Sequence, residues 1–79
     1  MRLNPSALKA LRERSGLSIK GLAEEATEHL QGEKPVDPNH LSNIEAGRRN
    51  PSEQLGVALA KALKVPLTAI LADPAEVAS

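Results

Sequence analysis

The sequence predicts an all-α fold, a compact bundle of five helices with no sheet. Three observations carry this expectation. Apolar residues recur at i, i+3, i+4 spacing in successive segments. Most of those segments open on an Asn, Ser or Asp and close on Gly or Pro. No stretch alternates apolar with polar residues in the period of two that marks a half-buried strand.

Asn4-Pro5 opens the first helix, the amide accepting from first-turn N–H groups and the proline preset for helical φ. Leu8 and Leu11 share its inner face, and Gly16 ends it at the position that favours a left-handed residue. Ser18 caps a second helix in which Ile19, Leu22, Ala23, Ala26 and Leu30 form one stripe. That stripe carries the helix on through Leu30 to a stop at Gly32, so segment 27–36 reads as helical extension plus loop. Asp37 caps and Pro38 opens a third helix with Leu41 and Ile44 inward, and Gly47 ends it. Pro51-Ser52 opens a fourth with Leu55, Leu59, Ala62 and Leu63 on the core side. Gly56 inside it costs about 1 kcal/mol relative to Ala, which points to close helix approach. A short fifth helix around Leu67 to Leu71 closes the bundle before Asp73-Pro74 breaks it. One domain over 1–73 with a flexible tail over 74–79 is the expected organisation.

With 79 residues, a single small core is all the chain can build. Phe, Tyr and Trp are absent, which counts against single-strand and RNA readers that stack bases on aromatic platforms. Without cysteine there is neither a disulfide nor a thiolate metal site. No apolar run approaches the roughly 20 residues of a membrane span, and the N-terminus lacks a signal-peptide apolar region. A soluble cytoplasmic protein is expected. Ten basic residues balance ten acidic ones, but unevenly. Glu24, Glu25, Glu28 and Glu33 gather in one region, while Arg48 and Arg49 stand together with no acid between Glu45 and Glu53. A neutral total can therefore hide a basic face, with weak nonspecific affinity for polyanions.

The stretch "VDPNHLSNIEAGRRNPS", Val36 to Ser52, is the most informative in the chain. It joins "LKALRERSGLS" of the first helix, "GLAEEA" of the second and "LAKALKVPLTAIL" of the last two in a fixed order. Within it lies an I-E-x-G-x-x-x-P pattern, Ile44-Glu45-Ala46-Gly47-Arg48-Arg49-Asn50-Pro51. On these pieces the chain resembles the lambda-repressor-like helix-turn-helix family, which includes phage Cro and repressor domains and bacterial XRE-type regulators. The resemblance covers nearly the whole domain.

The resemblance implies a third helix, 38–46, lying in the major groove of double-stranded DNA. Pro38, Asn39 and Asn43 are then base-facing, with His40 a phosphate or base neighbour. Asn suits adenine through N6 and N7, and Pro38 offers apolar contact such as a thymine methyl takes. Arg48, Arg49 and Asn50 are implied phosphate contacts, as are Ser18 and Lys34. The family also sets an Arg opposite Glu45, and Arg12 matches, so a structural ion pair outweighs a catalytic reading of that acid. Two departures stand out. Ile19 occupies a position where the family often has a backbone-touching Gln, and "TEHLQGEKPV" enlarges the usual tight turn by about eight residues. Within that insertion Lys34 reaches a phosphate, or Leu30 and Val36 form a partner surface, or the segment packs on its own domain.

The expected function is that of a sequence-specific double-stranded DNA-binding transcriptional regulator, Cro-like or repressor-type, in a bacterial host cell or on its nucleoid. The compact length favours a Cro-like protein. Its partner is a DNA operator, with no membrane, small-molecule ligand or cofactor. Glu25 and His29 stand four apart without a third ligand, so no metal site is expected. No nucleophile, paired His and acid, or phosphate-cradling glycine loop supports an enzyme. The alternative is a protein-interaction module that keeps the fold without groove contact, favoured by neutral charge, Ile19 and the acidic insertion. "LADPAEVAS" offers little apolar surface, so a monomer in solution is expected, with a dimer on DNA left open.

Overall fold

The computed structural model describes residues 2–30 and 35–71. Among the described residues four α-helices follow one another: α1 Pro5–Arg14, α2 Ile19–Glu28, α3 Pro38–Glu45 and α4 Glu53–Leu63. A single 3-10 turn, Leu67–Ala69, comes after them. Each α-helix starts on a side-chain cap. Asn4 Oδ1 accepts from the Ala7 N–H at 3.2 Å, Ser18 Oγ from Gly21 at 2.9 Å, Asp37 Oδ1 from Asn39 at 2.9 Å and Ser52 Oγ from Leu55 at 3.2 Å. Each such cap satisfies one donor that the helix itself leaves unpaired, worth about 1 kcal/mol.

The helix ends are equally local. Gly16 adopts φ 73° and Gly47 φ 81°, the left-handed values that let the chain fold back over the last turn. At α3 the Gly47 N–H then reaches the Ile44 carbonyl at 3.1 Å and the Arg48 N–H reaches Asn43 at 3.0 Å. Lys64, φ 59°, repeats the manoeuvre after α4 without being glycine. Inside, Leu8, Leu22, Leu41, Ile44, Leu59 and Ile70 are fully buried and form one continuous core. α4 packs chiefly on α2, which packs in turn on α3, while α1 backs α3 from the other side. Gly56 is buried within α4.

Three expectations are corrected. The fifth helix is only a three-residue 3-10 turn, because Ile70 leaves the helical path to bury itself and to accept the Asn4 N–H at 2.8 Å. Leu3 and Leu71 form an isolated antiparallel bridge beside that bond, so Leu3, which the helix periodicity did not place in the core, is 5% exposed. α2 ends at Glu28 instead of continuing through Leu30. His29 and Leu30 bond back three residues, to Ala26 and Thr27, and this tightens the last turn. The Thr27 hydroxyl donates to the Ala23 carbonyl at 2.7 Å and accepts the Val36 N–H at 2.9 Å, pulling the returning chain against the helix. Leu30 still packs on the core, partly buried. Gly32, Lys34 and the tail 74–79 lie outside the described residues, and so does the domain boundary expected at 73. No helix among the described residues is long and apolar enough to cross a membrane.

Candidate nucleic-acid interface

α3 is short, and its two faces differ sharply. Leu41 and Ile44 are fully buried and fix its roll against α1 and α2. At 3.6 residues per turn, the opposite side then falls on Asn39, Ser42, Asn43 and Ala46. Asn39, Ser42 and Ala46 are exposed and Asn43 is half-buried. Ser42 and Ala46 were missed by reasoning from the motif, yet the helical spacing from Asn39 was the signal that locates them. Pro38, also exposed, lies on the flank towards α2, where it shares a groove with Lys20, Glu24, Thr27 and Val36. His40 falls on the other flank, half-buried beside Leu30, Ser52 and Leu55 at the start of α4.

The roll of α3 is also held by charge. Arg12 Nε donates to Glu45 Oε2 at 2.8 Å, and Arg12 Nη1 donates to the Leu17 carbonyl at 2.7 Å. The two side chains are 13% and 6% exposed, so this pair ties α1, the turn before α2 and the end of α3 together largely out of water. With its carboxylate paired to the guanidinium, Glu45 braces the end of α3 against α1.

Polar groups surround the outward face in an ordered way. At the front, the Asp37 carboxylate caps the helix and sets one negative charge where helix N–H groups would otherwise attract an anion. At the exit, Arg48 and Arg49 are exposed, and Arg48 Nη1 donates to Asn43 Oδ1 at 3.3 Å. Asn50 is exposed beside them, and the buried Pro51 anchors the loop to the domain. Ser18 stands at the start of α2 with its oxygen accepting from Gly21, which leaves its O–H able to donate to a phosphate. Next to it, Ile19 is half-buried against the core while Lys20 is exposed. The polar function missing at Ile19 thus has a cationic neighbour one residue on, which the motif comparison overlooked. Positive charge gathers at the exit of α3 and the start of α2, and negative charge at the front of α3.

Residues 6–72 match the family described as "Helix-turn-helix domain". No curated protein and no solved structure matches the chain significantly. The matched span takes in α2, α3 and α4 and all of α1 but Pro5, together with the face just described. By that match the chain belongs to the helix-turn-helix domain family, in keeping with its resemblance to lambda-repressor-like regulators.

Proposed function

We propose that the protein is a sequence-specific double-stranded DNA-binding transcriptional regulator of the Cro-like or repressor type, reading the major groove with α3. The observation that carries this reading is the division of α3 into a fully buried apolar face and an outward row of small neutral groups, Asn39, Ser42 and Asn43. Small amides and hydroxyls both donate and accept, which suits them to hydrogen bonding with base edges in the major groove. Arg48 and Arg49 at the exit, with Lys20 and Ser18 at the start of α2, supply the flanking phosphate contacts. The protein acts as a monomer in solution, and symmetry in the selected sites would reveal pairing on DNA.

Selection from a random duplex library, followed by titration of the recovered site, tests this reading. Wild-type protein should yield a defined motif, and Asn39→Ala should relax one position at a cost of roughly 1–3 kcal/mol. Arg49→Ala should weaken cognate and random duplexes alike and reduce the salt slope by about one unit. A second reading, a protein-interaction module, draws on the Asp37 carboxylate and on the half-buried Leu30 and Val36 beside Leu55. Recovery of no motif, with binding insensitive to salt, would favour it.

A further inference from the structure

The bond between Arg48 and Asn43 bears on which base α3 selects. An amide has two ends, an oxygen that accepts and a nitrogen that donates twice, whereas a guanidinium only donates. Arg48 Nη1 lies 3.3 Å from Asn43 Oδ1, so the amide can satisfy this contact only with its oxygen turned to the arginine. A flipped amide would set N–H against N–H. The position of the arginine is not accidental, because its own N–H is bonded to the Asn43 carbonyl at 3.0 Å through the left-handed turn at Gly47. Backbone geometry therefore sets the Arg48 main chain beside Asn43, within reach of its side chain. Asn43 is half-buried as well, which narrows its alternatives.

We propose that Arg48 acts as a specificity-determining residue by holding Asn43 as a donor-only reader of guanine. This rests on the reading of α3 as a major-groove helix. With Oδ1 turned to the arginine and one of its lone pairs taken, Asn43 presents its two N–H groups, and guanine offers the paired acceptors O6 and N7. Adenine presents an N6 amino group beside N7, donor against donor, and the usual bidentate asparagine–adenine pair would require the oxygen to turn away from Arg48. Asn39 stands one turn earlier on the exposed face and keeps both amide groups for an adenine. The two asparagines of α3 then read different bases. The remaining guanidinium donors of Arg48 stay available to a phosphate, so positioning and backbone contact coexist in one side chain.

Duplex selection with four variants tests the proposal. Asn43→Ala identifies the base pair that Asn43 reads, as the position whose preference disappears. At that position wild-type protein should favour guanine over adenine by about tenfold or more, and Arg48→Met should bring the two within about threefold. Arg49→Met removes an equal charge without touching Asn43, so it should weaken binding and leave the guanine preference intact. Asn43→Asp keeps the acceptor for Arg48 but replaces the outward donors, so it should abolish the preference for guanine. Melting curves establish that each variant is folded. Adenine preferred by the wild type at that position, or guanine preferred undiminished in Arg48→Met, overturns the proposal while leaving DNA reading by α3 intact. A wild-type protein that selects no duplex overturns both.

Discussion

The connections before and after α3 solve the same problem by different means. The one after it is written in backbone conformation: Gly47 at φ 81°, two N–H groups returned to the helix, and a buried Pro51 before the Ser52 cap. On the approach side a side chain does this work at Val36, the Thr27 hydroxyl bridging the Ala23 carbonyl and the Val36 N–H. A turn made of backbone needs a special residue at one position, and that residue announces itself. A bridge made by a side chain spans nine positions in sequence and announces nothing. The same contrast separates the charged exit of α3, which follows a backbone-bonded turn, from its acidic front at Asp37, which follows the Thr27–Val36 bridge.

Changes at the exit side should be the more severe. Glu45→Ala leaves the largely buried Arg12 unpaired and should destabilise by about 3–5 kcal/mol in urea unfolding. Arg12→Ala should cost a similar amount, and the double variant much less than the sum, since the second change removes a charge already stranded. Strict additivity would mean that the pair does not couple. Gly47→Ala should cost about 1–2 kcal/mol from the left-handed backbone alone. Space is not the obstacle, because a Cβ there would stand 3.7 Å from Pro5 Cγ, an ordinary contact. An unchanged urea midpoint for this variant would remove the argument from backbone.

On the approach side, Thr27→Val keeps the shape and deletes the hydroxyl. It should cost about 1 kcal/mol and speed amide exchange at Val36 while leaving exchange at Gly47 unaltered. Equal acceleration at both amides would show that the two connections are not independent. Lys64 provides a calibration of the backbone effect, since it occupies at φ 59° a position that glycine holds after α1 and α3. Lys64→Gly should stabilise by up to about 1 kcal/mol, net of the entropy that glycine adds to the unfolded chain. A melting temperature that falls would show that the lysine side chain contributes more than its strain removes.

The same distinction explains what could be read before the structure. Asn4-Pro5, Ser18, Asp37-Pro38 and Ser52 marked four helix starts because a cap acts within three residues of itself. Gly16 and Gly47 marked two ends for the same reason. Leu30 misled, since its place on the α2 stripe is compatible with burial whether or not the helix reaches it. Leu3 escaped notice because its burial depends on Ile70, at the far end of the domain. At the candidate interface, Asn39 and Asn43 were legible from motif and spacing. Ser42 could have been placed by its spacing from Asn39, whereas Lys20 needed the packing of α2 on α3, a tertiary quantity. The Arg48–Asn43 contact joins residues five apart, outside the three- and four-residue spacings of helix faces, and only the turn at Gly47 brings it about.

The central claim is that α3 presents its outward face to DNA. Titration of isotopically labelled protein with the selected duplex, followed by amide and side-chain NMR shifts, tests it most directly. The largest changes should fall at Asn39, Ser42, Asn43, Arg48 and Arg49, with smaller ones at Ser18 and Lys20, and all should be lost as salt is raised. Changes centred on Leu30, Val36 and Leu55, with the outward face of α3 silent, would contradict it.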